Sequence, residues 1–125
     1  MLKSFRELVA WQKAYKLTLE IYRVTTAFPK KELYGFVSQM RRAAVSIPSN
    51  IAEGYQRQAR KEYMQFLSIA YSSCAELETQ LLLSHDLGFM DSSNFKRIIS
   101  LQEEVAKLLF KLIKSLQTGS RESIF

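Results

Sequence analysis

The stretch "RRAAVSIPSNIAEGYQR", residues 41–57, decides how the chain folds. It places a proline, two serines and an asparagine where a buried helix normally carries leucines. Apolar residues nonetheless keep a spacing of three and four through Pro48. The spacing therefore predicts one helix over 33–55 that is kinked at the proline. The alternative is a break, after which Asn50 and Glu53 cap a new helix.

The polar residues of this stretch fall on the side of the helix opposite the apolar ones. They are Arg42, Ser46, Ser49 and Glu53, at intervals of four, three and four, with Asn50 beside them. Arg42 and Glu53 would be about 16 Å apart along an ideal helix, so they do not pair with each other. Small Ser and Asn side chains indicate instead that another backbone comes close. The stretch therefore predicts a bend and a small, polar packing face.

Three further helices are predicted from apolar residues at helical spacing. The first two cover 4–28 and 61–87, and Gly88 is expected to end the second of them. The last begins after "MDSSN", residues 90–94, and ends at 116, and Ser92 or Ser93 is expected to cap it. The connections between the four helices are short. The sequence therefore predicts an all-α fold, an up-down-up-down four-helix bundle with a Pro-kinked second helix.

The 125 residues form one domain on this interpretation, with the bundle over 1–118 and a flexible C-terminal tail over 119–125. The composition, 47% hydrophobic and 24% charged, is typical of a soluble globular protein. No apolar run reaches the length of a membrane span, and the N-terminus has no apolar signal segment. A lone cysteine, Cys74, cannot form an internal disulfide. We therefore expect a cytoplasmic protein.

The first helix carries two separate apolar stripes. The stripe assigned to the core contains Phe5, Leu8, Trp11, Tyr15, Leu19 and Tyr22. The stripe assigned to an oligomer interface contains Ala14, Leu17, Ile21, Val24 and Phe28. A helix with two stripes needs two partners, and the second is predicted to be another subunit. A wide corner position within the helix's own bundle is the alternative.

Positive charge suggests a polyanionic partner, because the net charge is +6 and is unevenly distributed. Residues 1–31 hold seven Lys and Arg against two Glu. Basic and aromatic residues together could contact phosphates and stack on bases. The candidate nucleic-acid-binding residues are Lys13, Lys16, Arg23, Tyr55, Arg57, Arg60 and Lys61. The alternative is that the basic residues only keep the protein soluble.

Residues for catalysis or metal binding are not found in the sequence, so no enzyme, no cofactor and no metal site are expected. His85 is the one histidine, and no acidic residue stands three positions before it. One Cys and one His cannot complete a zinc site. No phosphate-cradling glycine loop or nucleophile elbow is present. Cys74 is expected in the core, and His85 at a helix end.

The motif "RRAAVSIPSNIAEGYQR", with "AWQKAYKL" before it and "SCAELETQLLL" after it, resembles the 23S rRNA intervening-sequence proteins. The resemblance extends over residues 5–116. The residues that match the family's motifs are Arg42, Ser46, Pro48, Ser49, Asn50, Glu53, Gly54, Glu76 and Glu78, with structural or interfacial roles implied. One departure is "YSSCAEL", where a Gly is expected before the second Ser.

Several expectations come from this resemblance alone. Family members form kinked four-helix bundles that assemble into homopentameric rings. Some are encoded in insertions within bacterial 23S rRNA genes, and a related branch assists reverse transcriptases of diversity-generating retroelements. The resemblance therefore implies a homo-oligomer that binds RNA or DNA, or alternatively a scaffold ring for a protein partner such as a polymerase. Membrane attachment through 105–116 is not expected, since a bundle helix needs the same amphipathic pattern.

Overall fold

Four long α-helices make up the protein in the computed structural model, which describes residues 2–119. They are α1 (Val9–Thr25), α2 (Ser38–Tyr55), α3 (Arg60–Asp86) and α4 (Ser92–Gln117). Each helix packs against its neighbours in the chain, and α4 also packs against α1, so the four helices close into a bundle. The predicted all-α four-helix fold is confirmed. The tail predicted for 119–125 lies, apart from Gly119, outside the described residues.

Helix α2 continues without a break through Pro48. A π-helical turn, Leu33–Val37, leads directly into it, so helical structure covers the whole predicted range. Asn50 does not cap a new helix, as the alternative required. Its Nδ2 donates back to the Ser46 carbonyl at 2.8 Å and to Ser46 Oγ at 2.9 Å. The single helix is therefore correct, while the bend at the proline stays a prediction.

A hydroxyl on α1 satisfies the carbonyl that Pro48 leaves without a donor. Proline has no N–H for the carbonyl of Ala44, four residues earlier. Thr18 Oγ1 lies 3.0 Å from that oxygen and 2.9 Å from the carbonyl oxygen of Ala14 in its own helix. The single hydroxyl proton is available to both acceptors. Helix α1 thus compensates for the proline in α2.

Helices α2 and α3 come close at Gly54, and of the small polar residues predicted to face another backbone, Ser46 contacts α3 while Ser49 is exposed. A Cβ on Gly54 would stand 2.7 Å from Cβ of Phe66 and 3.2 Å from the Tyr63 carbonyl oxygen. Glycine is therefore required here because the α3 backbone lies where a side chain would be. About two turns earlier along α2, Ser46 Oγ accepts a hydrogen bond from Ser73 Oγ of α3 at 2.9 Å.

Helix α1 starts later than predicted because an N-terminal turn caps itself. Ser4 Oγ accepts the N–H of Arg6, and the Glu7 carboxylate accepts the N–H groups of Lys3 and Ser4. This capping box closes a 3-10 turn over Phe5–Glu7, after which Leu8 is extended. The prediction of one continuous helix from residue 4 was therefore wrong.

The apolar stripe of α1 that was assigned to an interface faces the core, while only Leu8 is buried in the stripe that was assigned to the core. The five residues assigned to an interface are all buried in the core of the single chain. In the stripe assigned to the core, Tyr15, Leu19 and Tyr22 are between 43% and 57% exposed. Periodicity identified both faces but not which one meets the other helices. The interface assignment is corrected, since residues already packed inside one chain offer no surface to another.

The connection between α3 and α4 has one predicted and one unexpected cap. Gly88 has a φ of +80°, and its N–H and that of Phe89 bond carbonyls of the last turn of α3, as a Schellman motif requires. At the start of α4, Asp91 accepts the N–H of Asn94 at 2.7 Å. The cap is therefore the aspartate, and not Ser92 or Ser93.

Candidate nucleic-acid interface

One end of the bundle gathers the N-terminal turn, the α2–α3 connection and the end of α4. Tyr55 Oη donates to the Leu2 carbonyl at 3.1 Å, which ties the N-terminus to the end of α2. Nη1 of Arg60 lies 3.2 Å from where a Cβ of Gly119 would stand. We call this region the basic end, because it contains Lys3, Arg6, Arg57, Arg60 and Lys61.

Arg60 and Lys61 add two cations to the basic end at the start of α3. Both are exposed, and neither pairs with a carboxylate within residues 2–119. They are the first residues of α3, whose N-cap, Ala59, makes no side-chain hydrogen bond. The positive end of the helix dipole therefore adds to their charge. Together with Met64, they border a groove of about 470 Å³ that reaches the end of α4.

Arg57 is more constrained than the sequence suggested. Its guanidinium lies 3.9 Å from the Glu53 carboxylate and 3.7 Å from that of Glu62. It also stands over the ring of Phe66, 4.9 Å from the centroid. A phosphate at Arg57 would therefore compete with two carboxylates, so its role here is mainly to join α2 to α3.

Tyr55 belongs to the bundle and does not offer a stacking face. Its ring meets that of Tyr63 edge to face, with centroids 5.8 Å apart, and its hydroxyl holds the N-terminal segment. Tyr63 is itself buried. Tyr55 is half-buried and has a packing role, so its predicted role in stacking stays a prediction.

The three basic residues predicted on α1 lie elsewhere, along the seam with α4. Lys13 Nζ is 3.5 Å from the Glu104 carboxylate, and Arg23 Nε donates to Glu20 at 2.9 Å. Lys16 is exposed and has no carboxylate partner in the described part of the chain. The structure thus separates the predicted set into a row on α1, in which Lys13 and Arg23 are paired, and the basic end.

Glu20 is the centre of the α1–α4 seam. Its carboxylate bonds Arg23 on its own helix and Arg97 Nη1 on α4 at 2.5 Å. Burial by itself raises the pKa of Glu20, but the hydrogen bond from Arg23 and the charges of both arginines outweigh it and leave the pKa below its ordinary value of 4.5. Glu20 therefore stays ionised and neutralises part of the positive charge on this side.

Lys3 and Arg6 were missed as members of the candidate site. Both are exposed, and the turn that carries them packs against the end of α2. The signal in the sequence was the excess of basic residues near the N-terminus. The continuous helix predicted there hid the fact that a separate turn brings them to the α2–α3 connection.

The residues of the opening motif have mainly structural positions. Pro48 and Gly54 are buried, and Ser46 and Asn50 form the hydrogen bonds already described. Of the two motif glutamates on α3, Glu76 accepts a hydrogen bond from Gln80 at 3.4 Å. The exposed motif residues are Arg42, Ser49, Glu53 and Glu76, with Glu78 half-buried. Arg42 and Ser49 line a surface groove on α2.

The two residues considered for chemistry have packing roles. His85 stacks on Phe95, with centroids 4.4 Å apart, and its Nε2 is 3.2 Å from Ser92 Oγ. Burial, with a smaller contribution from the Glu78 charge, raises the pKa of the Cys74 thiol to about 12, so the thiol stays protonated. Within residues 2–119, no three His, Cys, Asp or Glu side chains come together as metal ligands would.

The fold and the site define a four-helix-bundle protein with a cluster of cations at one end. None of its described helices is long and apolar enough to cross a membrane. The chain belongs to the family of 23S rRNA-intervening sequence proteins, whose family model matches residues 6–111. A search of curated proteins finds no match to this chain.

A solved structure supports the same conclusion. The fold is similar to the crystal structure, at 1.70 Å resolution, of a protein of unknown function from the S23 ribosomal protein family of Bacteroides thetaiotaomicron. The two share 25% sequence identity with a TM-score of 0.78, over 85% of this chain and 96% of the other.

Proposed function

We propose that this protein is a non-enzymatic, cytoplasmic RNA- or DNA-binding protein whose basic end contacts the phosphate backbone. The observation that carries the proposal is the position of Arg60 and Lys61, exposed at an uncapped helix start. Two exposed cations and the positive helix end make a favourable site for a phosphate. Lys3 and Arg6 widen the positive surface on the side of the N-terminal turn.

Binding of this kind follows the phosphates and reads little sequence. Lysine and arginine contacts to the backbone fix the position of the nucleic acid without distinguishing bases. Each phosphate neutralised releases counterions, so affinity falls as salt rises. We therefore expect binding that is strong at low salt, weak at high salt and similar for unrelated sequences of the same strandedness.

Fluorescence anisotropy across a salt series tests this proposal. The variant Arg60→Ala/Lys61→Ala should bind more weakly than the native protein. Its plot of log affinity against log salt should be shallower by about 1 to 1.5, because each phosphate contact to a single strand contributes about 0.7 to the slope. The matched control is Lys30→Ala/Lys31→Ala, which removes the same charge from an exposed turn between α1 and α2.

Equal losses in both variants would mean that only net charge attracts the nucleic acid, and the basic end would lose its assignment. No binding by the native protein at low salt would refute the proposed function itself.

We also propose that the protein self-associates, as the pentamer implied by the resemblance requires, but through a different face from the one predicted. A groove of about 650 Å³ lies on the outside of α1 and α2. Tyr22, Leu33, Tyr34 and Val45 line it and are between 39% and 93% exposed. An exposed apolar surface of this kind favours contact with another protein surface.

Multi-angle light scattering tests the assembly. Val45→Glu should lower the mass of the assembly, because the new carboxylate would be buried in the contact between subunits at this groove. Leu87→Glu, at an exposed leucine next to the α3–α4 turn, is the control and should leave the mass unchanged. An unchanged mass for Val45→Glu would remove the groove from the interface.

The same groove supports the second candidate function, a scaffold that binds a protein partner such as a polymerase. Arg41, which stands over the Tyr22 ring at 4.7 Å, adds a cation to its apolar lining. Partner recovery in a pulldown that survives nuclease treatment and is lost in Val45→Glu would favour the scaffold. Recovery that nuclease abolishes would favour nucleic-acid binding.

A further inference from the structure

An exposed aromatic pair lies between α3 and α4, outside every site described above. Tyr71 and Phe110 are 41% and 49% exposed, and their ring centroids are 6.3 Å apart with planes inclined at 42°. The core does not need these rings, because Cys74 and Leu109 occupy the inward positions beside them and are buried. Two large rings that face water from neighbouring helices suggest a binding role.

Three lysines on α4 surround this pair. Lys107 and Lys111 border the same groove, about 340 Å³ in volume, as the two rings. Lys114 Nζ stands 5.4 Å from the centroid of the Phe110 ring. All three lysines fall on one face of α4, since they are four and three residues apart. The groove therefore combines flat apolar surfaces with positive charge.

The lysine row leads to the basic end. Leu116 and Gln117, half a turn to one turn beyond Lys114, line the groove that Arg60 and Lys61 border. Positive side chains thus follow one another along the end of α4, from the aromatic pair to the start of α3. A single strand could contact both surfaces with one continuous backbone.

We propose that Tyr71 and Phe110 form a stacking site for the unpaired bases of a single-stranded nucleic acid, with Lys107, Lys111 and Lys114 holding its phosphates. This inference rests on the proposed function and specifies its ligand as single-stranded. Unpaired bases expose flat faces that stack on aromatic side chains, whereas a duplex hides its bases inside the stack. Stacking tolerates any base, which agrees with weak sequence specificity.

The geometry favours a nucleic acid over an anionic membrane at this surface. An amphipathic helix binds a membrane through its apolar face. The apolar face of α4, with Leu109, Leu112 and Leu116, is buried in the bundle. At the groove itself the exposed apolar groups are the two rings, one from each helix, a pair too narrow to insert into lipid but suited to a flat base.

Three labelled ligands of about ten nucleotides test the inference by anisotropy: a single-stranded RNA, its duplex, and a strand of the same length whose bases have been removed. The native protein should bind the single strand about fivefold to a hundredfold more tightly than the abasic strand. Tyr71→Ala/Phe110→Ala should lose that preference and keep its affinity for the abasic strand. Tyr15→Ala, which removes an aromatic ring that is 50% exposed on α1, should behave as the native protein.

A second readout does not depend on the double variant. A 2-aminopurine in the single strand changes fluorescence when it stacks, so the native protein should quench it and Phe110→Leu should quench it less. Thermal melting by circular dichroism checks that each variant is folded.

The outcomes separate the two proposals. Equal affinity for base-containing and abasic strands, without quenching, would overturn the stacking site and leave phosphate binding intact. Failure of the native protein to bind any of the three would refute the proposed function as well. Binding to anionic vesicles that is lost in Tyr71→Ala/Phe110→Ala, with no preference for bases, would overturn the inference in favour of a membrane surface.

Discussion

Helix α2 and the seam between α1 and α4 hold the bundle together in different ways. Around α2 the contacts depend on small groups in fixed places, such as Gly54 against Phe66 and the Thr18 hydroxyl against the Ala44 carbonyl. Along the α1–α4 seam, long charged side chains meet at the surface, as Glu20 and Arg97 do. The contacts around α2 cannot change without moving a backbone, whereas the ion pairs along the α1–α4 seam can re-form when a charged side chain changes its rotamer.

This difference explains why the motif "SIPSNIAEG" stands in α2 and not elsewhere. A proline in a helix is tolerated where another group satisfies the carbonyl it frees, and a glycine is needed where backbones approach. Ion pairs at the surface are each worth about 0–1 kcal/mol and tolerate substitution. We therefore expect the effect of single substitutions to fall sharply from α2 to the α1–α4 seam.

The largest effect is expected for Gly54→Ala. The new methyl group would stand 2.7 Å from Cβ of Phe66, so α2 and α3 must move apart. Overpacking of this kind costs about 1–3 kcal/mol, which the better helix propensity of alanine offsets only in part. Urea denaturation followed by circular dichroism should show a clear loss in the free energy of unfolding.

Gly35→Ala is the matched control for that substitution. It makes the same change in a helical turn where a Cβ would meet nothing within 4 Å, so its stability should be unchanged or slightly higher. If Gly54→Ala were as stable as Gly35→Ala, the close approach of α2 to α3 would not be what requires the glycine.

An intermediate effect is expected for Thr18→Val. The substitution keeps the shape of the side chain but leaves the Ala44 carbonyl without its donor, at a cost of about 1 kcal/mol. Pro48→Ala restores a backbone N–H to that carbonyl. The cost of Thr18→Val should therefore be smaller when Pro48 is also replaced by alanine, in a double-mutant cycle of unfolding free energies. Independent, additive effects would contradict the pairing of Thr18 with the proline.

The smallest effect is expected for Glu20→Gln, at most about 1 kcal/mol near neutral pH. Because the pKa of Glu20 is lowered in the folded protein, its ion pairs contribute stability above its ordinary pKa of 4.5. That contribution is lost as the pH falls through the lower, folded value. The stabilities of the native protein and Glu20→Gln should therefore converge in acid, and high salt should narrow the gap at neutral pH. A constant difference across pH would mean that the carboxylate charge is not responsible.

The sequence by itself determined that there are four helices and that α2 is continuous through Pro48. Apolar spacing through Pro48 predicted a continuous helix, because a face of buried residues keeps its period even where one hydrogen bond is lost. The same spacing gave the buried face of α3, including Leu67 and Leu77, and the conformational freedom of glycine placed Gly88 at its end. These features depend on residues close together in the chain.

Only the tertiary structure decided which faces meet. Both stripes of α1 are apolar, so periodicity alone did not show which one is buried. That depends on how α2 and α4 pack against α1, which the spacing of residues within one helix does not reveal. The pairing of Lys13 with Glu104, and the meeting of Tyr71 with Phe110, likewise join residues whose distance is set by how the helices pack. The candidate site was therefore predictable as a set of charges but not as a surface, because a surface is formed by residues from several helices.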